Sequence, residues 1–495
     1  MDQSRHRKGW KALLALVALL ALVAAACADD DADTAEDEQE EEPTEEAVDD
    51  DDGEADGEAA ADGEVEGTLR IALFTDEDSI SDPRVESFNE VYPDVAVEFL
   101  PISAVDWEDY FTAVLAEVAA GNTPDLVAVA TEGTQLFAAE GLGHPLDEFV
   151  ERDAEELEDY FDDVHPALVE AMMYEGSLYQ FPDDWNAANM YLNTSLLEEA
   201  GLEMPDADWT KEDFEDYARA IAEETDADFG YGWTNRLWGS WMPWIFANDG
   251  NLFTEERAPG GEWLWERFYA DDPAAEGRGG GWRWEEPTAN SPEVVEALEY
   301  VVELRDEGLT PAVEIGGGEL LEGFFASEQM GMTPAGGFWA GGLAGAGMEP
   351  GDFDVQLWPE WESQRHQFGT AGFVMTDDSE NKEAAWAWIK HTIQREVMEL
   401  RPEHQANVTT PVRRSMVNDE RYADTGPANW ETFYATLDDH PETAPIPAPP
   451  IANPMTEAFV RWTQLAVSGA ETPQEAMDGL QAELEEILEA HGDQY

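Results

Sequence analysis

Two kinds of side chain in this sequence are placed to do chemistry. The first is a single thiol, Cys27, which follows Ala24-Ala25-Ala26, an apolar run from Ala12, and a basic patch of Arg5, Arg7, Lys8 and Lys11. A charged start, an apolar stretch and small residues before the cut form an export signal. The thiol at its end is the single cysteine of the chain. The second kind is a set of polar groups just beyond strand-like runs: Thr75, Asp76 and Glu77 after Leu69–Phe74, and Glu132 after Leu126–Ala130. Such hydroxyls and carboxylates can hold a polar ligand by hydrogen bonds. Nothing beside them supplies bond-breaking chemistry: there is no nucleophile elbow, no HExxH, no Cys/His metal cluster, and the eight His are scattered. The expectation is a binding protein that is not an enzyme, with no metal and no cofactor.

The elements that must position these groups alternate. Strand-like runs at Leu69–Phe74, Val95–Phe99 and Leu126–Ala130 are separated by helical stretches, one of them carrying Trp107, Phe111, Val114, Leu115 and Val118 and ending at Gly121-Asn122. This alternation predicts an α/β protein with a mainly parallel, helix-covered sheet, in which ligands bind beyond the carboxyl ends of the strands. Thr210 with Asp213, Ser291-Pro292, and Thr472-Pro473 with Glu475 mark helix starts. Trp263 with Trp265 and Trp282 with Trp284 each follow a glycine-rich turn, and their alternation predicts two strands of a β-hairpin.

Charge excludes one class of partner. Asp and Glu number 113 against 24 Lys and Arg, for a formal net charge of −89. No basic stripe exists to neutralise phosphates, so nucleic acid is not expected as a ligand. Beyond Lys11 the only lysines are Lys211, Lys382 and Lys390. Self-repulsion on this scale disfavours a compact state in dilute buffer and is screened within ~3 Å at molar salt. The composition fits a high-salt habitat; the alternative is an acidic surface suited to a cationic ligand. Residues 28–67 contain no Lys, Arg or aromatic residue and are read as an extended, disordered acidic tether. The roughly 430 residues after it suit two domains.

Several segments resemble the sugar-type extracellular solute-binding proteins of ABC importers. They are Pro124-Asp125-Leu126-Val127 with Glu140-Gly141-Leu142; Tyr179-Gln180-Phe181-Pro182 with Met190-Tyr191-Leu192-Asn193-Thr194; Met330-Gly331-Met332-Thr333 with Gly337-Phe338-Trp339; Thr370-Ala371-Gly372-Phe373-Val374; and Thr410-Pro411-Val412-Arg413-Arg414-Ser415. The residues ending at Cys27 likewise resemble a lipobox, except that Ala24 stands where Leu is usual. The resemblance implies a type II periplasmic-binding-protein-like fold: a lipoprotein signal at 1–27, the tether at 28–67, a first α/β lobe from 68–181 and 360–408, a second from 187–356, and C-terminal helices at 409–495 packed across both. It further implies a monomer, lipid-anchored outside the cell membrane, that binds a carbohydrate between the lobes and passes it to permease subunits.

A sugar site needs aromatic planes for C–H faces and fixed polar groups for hydroxyls. On the resemblance, the candidates are Trp185, Asn186, Trp238, Trp241, Phe338 and Trp339, with Thr75, Asp76, Glu77 and Glu132 from the strand ends. Gly372 would offer its N–H or merely permit a turn, and Arg414 would reach a hydroxyl or pair with an interlobe acid. Trp339 is the expected centre of the site, while Trp244, Trp386 and Trp388 are expected in the core. Two alternatives remain open: the same fold holding a polyol or a polyamine, and a secreted glycoside hydrolase, which would also present Trp platforms and paired carboxylates.

Overall fold

The structure is a computed structural model and describes residues 65–75, 83–400, 409–417 and 426–491. Cys27, most of the tether, Asp76 and Glu77 lie outside these residues. Fourteen strands are named here in chain order: β1 (Gly67–Phe74), β2 (Val95–Ile102), β3 (Leu126–Ala130), β4 (Met173–Tyr174), β5 (Ser177–Leu178), β6 (Asp184–Ala187), β7 (Asn189–Asn193), β8 (Phe229–Tyr231), β9 (Phe253–Arg257), β10 (Trp282–Pro287), β11 (Met330–Ala335), β12 (Phe353–Gln356), β13 (Gln367–Met375) and β14 (Ala444–Pro445).

Two sheets define two lobes. In the first, the order is β14-β13-β3-β1-β2, with β6 also paired to β13. β1 runs parallel to β2 and β3, whereas β13 returns antiparallel to β3. The second sheet has the order β12-β7-β11-β8. Only Ala188 separates β6 of the first sheet from β7 of the second, so the chain passes between lobes there in a single residue. It returns through the segment between β12 and β13.

Each lobe has its own core. Helix Trp107–Ala119 lays Tyr110, Phe111 and Val114 against Val127 and Val129 of β3. It begins at Asp106, whose carboxylate accepts the Asp109 N–H at 2.9 Å. In the second lobe, Trp244 is fully buried edge-on to Phe214, Tyr300 and Trp358. Trp386 and Trp388 are buried residues of helix Lys382–Thr392 in the first lobe. Thr210 and Asp213 form a reciprocal capping box, and the Thr472 hydroxyl donates to Glu475 at 2.8 Å.

The C-terminal helices Ala452–Ser468 and Pro473–His491 share the second lobe's core through Met455, Phe459, Leu480 and Leu484. The first of them also reaches the other lobe, where the Asn453 amide donates to the Glu108 carbonyl at 3.1 Å.

The hairpin is assembled differently from the sequence expectation. β10, with Trp282 and Trp284, pairs with β9, whereas Trp263 and Trp265 sit in a helix, Glu262–Phe268. Gly261, at φ 78°, opens that helix in a left-handed conformation. Although it grows from the second lobe, this hairpin docks on the first. Phe268 stacks on Phe161 at 4.1 Å, Gln135 donates to the Trp282 carbonyl at 2.8 Å, and Arg278 pairs with the fully buried Glu170 at 2.8 Å.

Candidate ligand-binding cleft

The site forms where three pieces of backbone meet. The first is the end of β3, where the helix Thr131–Ala139 begins and Glu132 occupies its first turn. Glu132 is only 8% exposed, and the Thr131 hydroxyl donates to its Oε2 at 3.1 Å. Continuing the β1–β3 register from Ala72↔Val127 puts half-buried Thr75 level with Ala130, beside this turn.

The second piece is the loop before helix Met242–Ala247. Here Trp238 (φ −68°, ψ 129°) and Gly239 (φ 78°) depart from helical geometry. The left-handed turn at Gly239 costs glycine nothing and would strain any other residue; on either side of it Trp241 is buried in the second lobe's core, whereas Trp238 packs against that core only in part and keeps some of its surface exposed. The Gly239 N–H is held by Gln367 Oε1 at 2.9 Å.

The third piece is the turn after β11, where Phe338 is 38% exposed and its N–H donates to Asn186 Oδ1 at 3.3 Å. Thr409 donates to the same Asn186 oxygen at 3.2 Å. Phe338 and Trp238 form a corner, with ring centroids 5.8 Å apart and planes tilted by 49°.

Gly369 shows how the lobes meet. A Cβ placed there would come 2.8 Å from Trp238 Nε1 and 3.4 Å from Thr131 Oγ1. The indole of the second lobe therefore edges up to the helix start of the first, over a strand kept bare at that point. Glu108, in the first turn of helix Trp107–Ala119, completes the acidic side; burial, then the neighbouring Glu132 charge, pushes its carboxyl up to about 7. Burial also raises Glu132, against the pull of backbone N–H, the Thr131 hydroxyl and Arg236. Arg236, exposed, stands two residues before Trp238 with its guanidinium carbon 5.3 Å from the Trp238 ring.

This arrangement gathers Glu132, Asn186, Trp238 and Phe338, with Thr75 at the margin; Asp76 and Glu77 lie outside the described residues. Five other expected residues are placed elsewhere. Trp339 is 3% exposed and packs edge-on to Tyr191 and Phe325, at 5.5 and 5.8 Å. It starts a helix, Trp339–Gly345, that turns its indole inward, so the aromatic facing the cleft is its neighbour Phe338. Trp241 is buried against Trp233 with its N–H on Asn235 Oδ1 at 2.8 Å, and Trp185 is buried with its N–H on the Pro411 carbonyl at 3.0 Å. Both indoles are core anchors.

Gly372 lies inside β13, where a Cβ would meet the Phe181 carbonyl at 2.1 Å; the glycine serves backbone packing. Arg414 pairs with Asp438 and lines a separate polar cavity of about 580 Å³ with His165, Arg257 and Arg278.

Sequence reasoning passed over Thr131, Glu108, Arg236 and Gly369. Arg236 carried a usable signal, being one of few body cations and two residues from a glycine-flanked Trp. Glu108 carried no comparable signal, since an acid in a helix's first turn is favourable whether or not it faces a site. Among the described residues no group of three His, Cys, Asp or Glu side chains is placed to hold a metal ion, and no helix is long and apolar enough to cross a membrane.

Residues 84–429 match the bacterial extracellular solute-binding protein family. The chain belongs to that family. A solved Listeria monocytogenes ABC substrate-binding protein in complex with cycloalternan superposes with a TM-score of 0.69 at 22% identity, covering 86% of this chain and 99% of that one. A Thermotoga lettingae ABC transporter solute-binding protein bound to α-D-tagatose gives 0.68 at 20% identity, covering 85% and 99%. These likenesses establish the two-lobed fold. Among curated relatives, a mannitol-binding protein of Pseudomonas aeruginosa is 27% identical over 207 residues, covering 40% of this chain and 45% of that protein. The chain spans less than half the length of the curated relatives it matches, down to 28% for a putative Brucella abortus binding protein. For a member of this family, a cleft walled by both lobes is the place where closure can enclose a solute.

Proposed function

We propose that this solute-binding protein captures a carbohydrate between its lobes and delivers it to the membrane subunits of an ABC importer, held at the outer face of the membrane by a lipid on Cys27. The observation that carries the ligand class is the Trp238–Phe338 corner facing Glu132, Thr131 and Asn186 across the lobe boundary. Two angled aromatic planes take the C–H faces of a sugar, and the acid, hydroxyl and amide take its rim of hydroxyls. The cycloalternan and tagatose complexes of the structural neighbours support the same class. A polyol is the second reading, favoured by the mannitol-binding relative. It would use the polar rim more than the planes.

A thermal-shift screen of mono- and oligosaccharides and polyols in molar KCl tests the proposal. A ligand present at about a hundred times its Kd raises folding stability by about 2.7 kcal/mol. The proposal expects such a shift from at least one saccharide and its loss in Trp238→Ala. If only polyols shift the transition, the second reading replaces it; if neither class does, the ligand assignment fails.

A further inference from the structure

We infer that the carbohydrate held in this cleft is acidic, a hexuronate or an oligosaccharide carrying one, and that its carboxylate is received by the guanidinium fork of Arg236. The inference rests on the carbohydrate reading above and narrows it.

Cationic side chains are scarce here and nearly all are engaged. Arg84 pairs with Asp183, Arg365 with Glu255 and Arg413 with Asp159, each at 2.8 Å, and Arg257 and Arg278 converge on Glu170. Among the described residues, Arg70 and Arg236 are the arginines that form no ion pair, and Arg70 Nη1 donates to the Thr123 carbonyl at 3.1 Å. Arg236 is different in kind. Its Nε donates to the Trp238 carbonyl at 2.9 Å and its plane rests near the Trp238 ring, which fixes the group while its two terminal nitrogens make no hydrogen bond within the described residues. Gly239 keeps the space beside Nη2 clear, since a Cβ there would lie 3.4 Å away. A guanidinium pinned through Nε and open at both Nη atoms matches the two oxygens of a carboxylate.

The charged groups that act on Arg236 from the opposite lobe are Glu132, Glu108 and Asp106, none within ion-pair distance of it. Burial holds Glu132 and Glu108 toward their protonated forms. A carboxyl that keeps its proton donates a hydrogen bond to a ligand oxygen instead of repelling it, so these upward shifts lessen the repulsion that the acidic wall would exert on a ligand carboxylate. Recognition of hydroxyls alone would leave the placement of an unpaired cation unexplained in a chain with 113 acids.

Matched sugars that differ only at C6 provide the test: glucuronate against glucose, galacturonate against galactose, and mannuronate against mannose, each as monomer and 1,4-linked dimer. Their Kd values are measured by calorimetry or thermal shift in molar KCl near neutral pH, with the parent protein, Arg236→Gln and Arg236→Lys. The expected result is at least one uronate bound about tenfold or more tightly than its neutral partner. Arg236→Gln should lower the ratio of uronate to neutral-sugar affinity about ten- to hundredfold, the scale of a hydrogen-bonded charge, over any loss that both ligands share through the Arg236 contact with Trp238; Arg236→Lys should recover only part of that ratio, because an ammonium lacks the fork. Neutral sugars bound as tightly as their uronates, or equal losses for both in Arg236→Gln, would overturn the inference while leaving the carbohydrate reading standing. Failure of every uronate to bind also overturns it, and the wider saccharide screen then decides the carbohydrate reading separately.

Discussion

Two adjacent aromatic residues should respond in opposite ways to truncation. Phe338 retains 38% of its surface. With about 200 Å² for an aromatic side chain, that leaves on the order of 75 Å² for a ligand to cover, worth about 2 kcal/mol at ~25 cal/mol per Å². Phe338→Ala should therefore weaken binding by roughly thirtyfold. Its effect on folding should be small, because among the described residues its one ring contact is Trp238 at 5.8 Å. Trp339 is buried against Tyr191 and Phe325, so Trp339→Ala should cost roughly 3–5 kcal/mol of stability. Ligand affinity per folded molecule should remain close to that of the parent. Calorimetry with the best saccharide from the screen gives the first quantity, and urea unfolding in molar KCl the second. The reasoning is refuted if Trp339→Ala abolishes binding with an unchanged unfolding midpoint, or if Phe338→Ala destabilises as much as its neighbour.

Three further outcomes follow from the same physical picture. Glu108 binds its proton more tightly folded than unfolded, so ionising it costs stability as pH rises from its ordinary 4.5 through about 7; Glu108→Gln should raise the melting temperature near pH 8 and change it little near pH 4, and equal effects at both would count against a buried carboxyl. With a net charge of −89, the melting temperature should climb steeply from dilute buffer to molar KCl, and a flat profile would remove the argument for salt adaptation. Cys27→Ser should appear in the medium or wash off the membrane without detergent, whereas retention equal to the parent would contradict a lipid on that thiol.

The strand–helix alternation made the first lobe readable, because apolar runs such as Leu126–Ala130 are bounded by polar turn residues and have no other place to be buried. Glu132 was readable for the same reason: a strand's carboxyl end fixes where the next turn falls. The aromatic residues were less so. Phe338 and Trp339 are consecutive and equally apolar, and only the start of helix Trp339–Gly345 decides which ring turns outward. Trp238 and Trp241 differ through the left-handed turn at Gly239, a backbone conformation that composition does not reveal. Trp263 and Trp265 alternate as strand residues do, yet a helix forms because β10 finds its partner in Phe253–Arg257. Arg236 and Glu108 act on one another electrostatically only because the fold brings together elements more than a hundred residues apart, which no local pattern encodes.

A crystal structure grown with the saccharide that gives the largest thermal shift tests the central claim most directly. The sugar should lie between the lobes, one ring face against the Trp238–Phe338 corner and its hydroxyls within hydrogen-bond distance of Glu132 and Asn186. Sugar density in the cavity lined by His165, Arg278 and Arg414, with the cleft between Trp238 and Thr131 empty, would contradict it.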